Sequence, residues 1–230
     1  VVIERNLQAN LVDHDLVALT TIVLTNLTLT TQDQETGYCL SHWQGLAQSP
    51  TFKKKWSLEA KAVSDRLMRL LGAMIDQYEQ RLQPKAELLG EAFQAEPWSV
   101  SLFTEEVVRG TLFFLLSTLL GRIDPILRKS AHLGNWQVIS PGQGAGELMV
   151  VKELGYVQEN RLSRATVILA EKVSGEEEIP RKVTAILTAD TTDIVSHVAI
   201  RARNSRVLLA TCYESKIVEE LKNLKGRSIS

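Results

Sequence analysis

Apolar residues recur at three- and four-residue spacing from about Leu11 to Leu133, with few glycines or prolines between them. That period gives each segment one apolar face and predicts packed amphipathic helices. Helices are expected over residues 13–31, 35–48, 58–82, 85–93, 100–120 and 125–133. Pro84 lacks a backbone donor and crowds the preceding turn, so it is expected to separate the third helix from the fourth. Pro97-Trp98-Ser99 reads as the lead-in to the fifth. After Gly134 the pattern changes to short β-branched runs separated by Gly, Pro and acidic turns, predicting strands over 137–139, 147–151, 166–170, 184–187 and 207–211. A short helix is expected after Val195 and a final one over 215–224. The fold class read from this pattern is α+β: an all-α helical domain over residues 1–133, then a small α/β domain over 134–230 of a size that makes a compact unit.

Composition adds little to this picture. With 44% hydrophobic and 23% charged residues, the chain has the balance of an ordinary globular protein. A formal net charge of -1 offers no basic face, so neither nucleic acid nor an anionic membrane is an expected partner. The longest apolar run, residues 111–120, is far short of the roughly 20 residues that span a bilayer, and it reads as a buried helix. The first residues, Val1-Val-Ile-Glu-Arg-Asn6, have neither an initiator Met nor the layout of a signal peptide, and the chain reads as an excised fragment. Cys39 and Cys212 lie in different expected domains. No disulfide framework or zinc-ligand spacing is present, and a reducing, intracellular compartment is the default.

Candidate chemistry concentrates in Thr188-Ala-Asp-Thr-Thr-Asp-Ile-Val-Ser-His197-Val-Ala-Ile-Arg-Ala-Arg-Asn204. This stretch follows a strand, crosses a polar turn and enters the short helix with Ser196 or Asp193 as N-cap. His197 then falls in the first helical turn, where free backbone N–H groups and the positive end of the helix dipole favour an attached phosphoryl group. A neutral imidazole is a competent nucleophile near pH 7. Arg201, four residues on, shares a helical face with His197 and balances the added charge, whereas Arg203 points elsewhere. By residue type alone, a His at a helix start is more often a structural or surface residue than a nucleophile.

The same stretch resembles the mobile phosphohistidine domain shared by pyruvate phosphate dikinase, phosphoenolpyruvate synthase, the sugar phosphotransferase Enzyme I and the glucan water dikinases. Motifs similar to those of the glucan dikinases are Trp136-Gln-Val-Ile-Ser-Pro141, Gly175-Glu-Glu-Glu-Ile-Pro180, Ser196-His-Val with Arg201-Ala-Arg-Asn204, and Ala210-Thr-Cys212. Phe103-Thr-Glu-Glu106 and Arg122-Ile-Asp-Pro-Ile-Leu-Arg-Lys129 resemble the helical segment preceding that domain. The resemblance implies that residues 1–133 act as a spacer and hinge and that 134–230 swivel. It further implies that His197 takes the β-phosphate of ATP and passes it to a glucosyl hydroxyl of a starch-like α-glucan, leaving AMP and inorganic phosphate. Ser196, Arg201 and Arg203 would stabilise the phosphoryl group, Arg203 being the residue that matches the family's recurrent arginine. ATP and Mg would be held by a nucleotide-binding domain elsewhere in the same enzyme, the glucan by further parts, and the location would be a plastid, with the cytosol as alternative.

Departures from the pattern shape further expectations. Thr192-Asp193 replaces the Gly-Gly turn of the wider family, so a looser loop is expected, and Leu208 replaces the first cysteine of a Cys-Phe-Ala-Thr-Cys pair, which removes that thiol pair. Gly142 and Gly144 are also unlike the residues usual there. There is no G-x-x-x-x-G-K-[ST] loop and no recognisable carbohydrate-binding module, so the chain alone is not expected to turn over. Competing readings are a phosphocarrier of the Enzyme I or pyruvate phosphate dikinase type, and a non-catalytic scaffold. No metal site is expected: Glu176 to Glu178 read as an exposed turn, and His14, His42 and His132 lack ligand spacing. Lys53-Lys-Lys55 reads as a solvated loop, and Trp43, Trp56, Trp98 and Trp136 as core or cap packing.

Overall fold

The computed structural model describes residues 12–31, 33–158 and 162–230; Leu11 and the first six residues, read above, lie outside them. The chain divides into two compact units, Val1–Leu133 and Gly134–Ser230. The first is helical: α1 (Asp13–Thr31), α2 (Gln34–Ala47), α3 (Lys54–Phe93), α4 (Pro97–Arg109) and α5 (Leu112–Ala131). The second is built on strands: β1 (Trp136–Ser140), β2 (Gly146–Glu153), a 3-10 turn (Leu154–Val157), β3 (Thr166–Lys172), β4 (Val183–Thr188), α6 (His197–Asn204), β5 (Leu208–Cys212), α7 (Ser215–Lys222) and β6 (Ser228–Ile229).

Helix α1 forms despite its many β-branched residues because one face of it is buried, while Thr20, Thr21, Thr25 and Thr31 satisfy their hydroxyls on the carbonyls four residues back. Its face of Leu16, Val17, Val23, Leu24 and Leu27 is buried against α2 and α5, with Trp43, Leu67, Leu71, Leu116 and Leu120 in the same core. The indole N–H of Trp43 donates to Thr21 Oγ1 at 3.1 Å, and that of Trp56 to the Leu46 carbonyl at 3.0 Å, so both large rings are buried with their donors satisfied. Buried Lys61 ties α3 to α5 through Asp124 (3.0 Å), which also accepts from Arg128 (2.6 Å). Among the described residues no single helix is long and apolar enough to cross a membrane.

Four expectations for this unit need correction. Helix α3 runs unbroken through Pro84, and α5 through Pro125. Pro84 lies on the exposed side, and buried residues continue on both sides of each proline, so packing outweighs one missing backbone bond. Conversely, the segment expected as one helix over 100–120 is two. The chain breaks at Gly110-Thr111, where the Thr111 side chain accepts from the Phe113 N–H and caps α5. Trp98 is neither core nor cap packing, since it is 65% exposed. Lys53, Lys54 and Lys55 are exposed as expected, but they cap and open α3 rather than forming a loop.

The second unit is a six-stranded sheet in the order β1-β5-β4-β3-β2-β6. Strands β2, β3, β4 and β5 are parallel neighbours, and the edge strands β1 and β6 are antiparallel to β5 and β2. The central β3 reads Thr-Val-Ile-Leu-Ala with every residue buried, as a parallel strand covered on both faces requires. β6 is too short for any periodic signal; it exists because Ile229 and Ser228 pair with Gly146 and Glu147. The link from β1 to β2 explains the two glycines. A Cβ on Gly144 would lie 2.5 Å from Ala185 Cβ and 2.7 Å from the Thr184 carbonyl oxygen, and one on Gly142 would lie 3.0 Å from the Leu208 nitrogen. The link thus passes against the backbone of β4 and β5, closer than a side chain allows.

Candidate functional site

β4 ends at Thr188, the chain runs through residues 189–196, and α6 begins at His197 before returning as β5 beside β4. This parallel β-α-β arrangement puts the loop and the helix start at the carboxyl ends of the strands, where α/β sheets present their ligands. The loop is tied down rather than loose. Thr188 Oγ1 accepts from the Asp190 N–H, Asp190 Oδ2 accepts from the Val173 N–H, and Thr211 Oγ1 donates to the Asp190 carbonyl. Thr192, at the position of the missing glycine, is buried, and Asp193 Oδ1 accepts from the Val195 N–H, so the Asp193 side chain closes the turn before the helix.

Ser196 is the N-cap: its Oγ accepts from the Ala199 N–H and donates to the Asp193 carbonyl at 2.6 Å. His197 follows as the first helical residue and is only 3% exposed. The first turn does not offer the free amides expected of it. The Val198 N–H donates to the Gly175 carbonyl at 3.0 Å, and the Ala199 N–H is taken by Ser196. Burial first, and the Arg201 guanidinium second, push the His197 imidazole below its ordinary range, so its neutral form extends to lower pH than that of a free histidine.

The two arginines diverge from the helix but both hold segments that flank His197. Arg201 Nη1 donates to the Glu176 and Glu177 carbonyls, each at 3.1 Å, and its Nη2 pairs with Glu178 Oε1 at 3.1 Å. Arg203 does not point away from the site, as helical phase suggested: its Nη1 reaches back to the Ile194 carbonyl at 2.8 Å, in the loop leading to His197.

The Gly175-to-Pro180 motif is the part that residue-by-residue reading missed. Glu176 and Glu178 are exposed, but Glu177 is not: it is 4% exposed, its two carboxylate oxygens accepting from the Ser174 and Gly175 N–H groups at 2.5 and 2.8 Å. Gly175 adopts φ +95°, and a Cβ there would approach Ser196 Cβ to 3.2 Å. The signal was the spacing Gly175-x-Glu177, in which a carboxylate two residues on can cap the glycine's own amide. Beside this turn, a cleft of about 550 Å³ opens between the carboxyl ends of β2 and β3, lined by Glu153, Lys172, Ser174, Glu176 and Asp190 among others. Among the described residues no group of three His, Cys, Asp or Glu side chains is placed to hold a metal ion. Cys39 and Cys212 are free and buried, and burial raises both thiols above their ordinary range.

Residues 135–230 match the family model described as "Alpha-glucan water dikinase, phosphohistidine-like domain". The chain is 44% identical over 210 residues to the chloroplastic alpha-glucan water dikinase of Citrus reticulata, covering 90% of this chain and 14% of that protein. It is 44% identical over 211 residues to the chloroplastic alpha-glucan water dikinase 1 of Arabidopsis thaliana, covering 91% of this chain and 15% of the relative. It is 42% identical to alpha-glucan water dikinase 2 of the same plant, over 91% of this chain and 16% of the relative. The chain thus spans about a seventh of the length of these relatives, and no solved structure matches it significantly. Residues 135–230 are thus similar to the phosphohistidine-like domain of the alpha-glucan water dikinases, and the similarity to these enzymes extends over 90% of the chain, into the helical unit.

Proposed function

We propose that this chain is the phosphate-carrying part of an alpha-glucan water dikinase, with His197 as the residue that transiently holds the phosphoryl group. The observation that carries this reading is the position of His197. It opens a helix at the carboxyl ends of the parallel strands, between a Ser196 cap and two arginines, within the segment that matches the phosphohistidine-like domain. Its lowered basicity supports the role, because the neutral imidazole attacks phosphorus with its unprotonated nitrogen. A P–N bond forms as the α–β P–O bond of ATP breaks and AMP leaves, water cleaves the β–γ P–O bond to release inorganic phosphate, and in the second transfer the P–N bond breaks as a P–O bond to a glucosyl hydroxyl forms.

The donor in this reading is the β-phosphate of ATP, bound with Mg by a nucleotide-binding domain of the same enzyme. The acceptor is a starch-like α-glucan, and AMP and inorganic phosphate are released. Arg201 and Arg203 balance the added negative charge. The α/β unit swivels between the two sites while the helical unit serves as spacer and hinge. A plastid is the proposed location, since the relatives from Citrus reticulata, Arabidopsis thaliana and Solanum tuberosum are named chloroplastic.

One observation favours the scaffold reading: at 3% exposure the imidazole is covered, so transfer requires a conformation that uncovers it. The test is to mix the chain with a glucan dikinase nucleotide-binding domain and ATP labelled at the β- or the γ-phosphate, isolate the chain, and chase with glucan. The carrier reading expects acid-labile, base-stable label from the β-position alone, chased into glucan when the remaining enzyme parts are added. No label, with the partner domain active on a relative's carrier domain, would establish the scaffold.

A further inference from the structure

The Gly175-to-Pro180 turn and Arg201 were two separate signatures in the sequence, and in the fold they are one assembly. Arg201 makes three contacts with the turn, to the carbonyls of Glu176 and Glu177 and to the carboxylate of Glu178. The turn in return caps the helix that carries His197, through the Gly175 carbonyl on the Val198 N–H, and its Gly175 packs against Ser196. It therefore bears on the residues on either side of a buried histidine.

We infer that Arg201 and this turn form a latch that responds to the phosphorylation state of His197: Glu178 and a phosphoryl group on His197 compete for the same guanidinium. The inference rests on the carrier reading of His197 and adds residues to it. A phosphoryl group carries more negative charge than a carboxylate and offers three strong acceptor oxygens. Arg201 lies four residues on from His197 in the same helix, so the two side chains are neighbours on one face, and its charge disfavours the protonated imidazole. Glu178 is 67% exposed and gives up its partner to water at little cost, whereas Arg201, only 15% exposed, stays beside the helix. When His197 is unmodified, Arg201 pins the turn; when it is phosphorylated, Arg201 turns to the phosphoryl oxygens, the turn loses that contact, and the domain's surface changes with its cargo. Glu178 is thus a positioning residue that acts through Arg201.

The two halves of the ion pair give opposite predictions, which a purely structural pair would not. The experiment measures the initial rate of His197 labelling from β-labelled ATP and a glucan dikinase nucleotide-binding domain, on wild type, Glu178→Gln, Arg201→Gln and Arg201→Lys. Hydrogen exchange at residues 174–178 is followed in each unphosphorylated chain. Glu178→Gln, a surface change that leaves the fold intact, is expected to label about threefold faster, the scale of one partly exposed ion pair, and to exchange faster at the turn. Arg201→Gln is expected to exchange faster but label at least tenfold more slowly, with partial recovery in Arg201→Lys. Labelled wild type with both Glu178→Gln and Arg201→Gln slowed, or turn exchange that neither variant changes, overturns the latch while leaving the carrier intact. No label on wild type overturns the carrier reading and the latch with it.

Discussion

Replacing Glu177 by Gln tests whether a buried carboxylate organises the start of the histidine helix. Its two oxygens accept from two successive backbone N–H groups, of Ser174 and Gly175, and the residue is 4% exposed. Glutamine keeps one acceptor and turns an NH2 toward the other amide, so one N–H loses its partner and the surviving bond loses its charge assistance. An unsatisfied buried donor costs about 1–3 kcal/mol, and the change from a charged to a neutral acceptor costs about 1 kcal/mol more. Because Ser174 is exposed and regains water, the expected net loss is about 2–3 kcal/mol. Hydrogen exchange of the central β3 and β4 amides in the full chain, which open only when the α/β unit unfolds, reads this directly. The Val198 amide, held by the Gly175 carbonyl, should lose protection first. A Glu177→Gln chain whose β3 and β4 protection lies within about 0.5 kcal/mol of wild type, the ordinary scatter of surface substitutions, would refute this account of the turn.

Other outcomes follow from the same structure. Gly144→Ala must push its Cβ into Ala185 and the Thr184 backbone, so a loss of about 1–3 kcal/mol from the α/β unit is expected by denaturant titration, and an unchanged midpoint would contradict the close passage of the 141–145 link. Pro84→Ala restores a backbone donor inside α3 and is expected to raise the helical unit's stability by about 1–3 kcal/mol in thermal unfolding, whereas a proline that truly ended a helix would give no gain. Because the folded chain holds His197 below its ordinary range, the unfolded chain takes up the proton first. The stabilising contribution of the neutral histidine is therefore complete above about pH 6.5 and declines as pH falls toward the folded value, with a slope of at most about 1.4 kcal/mol per pH unit. Stability measured across that range should lose this slope in His197→Gln, and an identical pH profile would count against the buried, neutral imidazole.

The α/β unit was more legible than the helical one. Each parallel strand carries its own short apolar run, and expected and observed limits of β1 to β5 agree to within two residues. Helix limits depended on Pro84, Pro125 and the Gly110-Thr111 break, where the outcome turns on burial against neighbouring helices and a threonine cap, neither of which a local pattern encodes. At the site, the Ser196 cap and the first-turn position of His197 follow from local rules and could be read in advance. The occupied amides, the turn of Arg203 toward Ile194 and the burial of Glu177 could not, because each depends on a partner distant in sequence or on a rotamer that spacing does not fix.

The measurement that bears most directly on the account is mass-spectrometric mapping of the modified residue after incubation with ATP and an active glucan dikinase nucleotide-binding domain, on wild type and on the near-isosteric His197→Asn. A phosphoryl group is expected on the His197 imidazole of wild type and none on the variant, with the variant's circular dichroism unchanged. Phosphate on another residue, or retained by the folded variant, would contradict it.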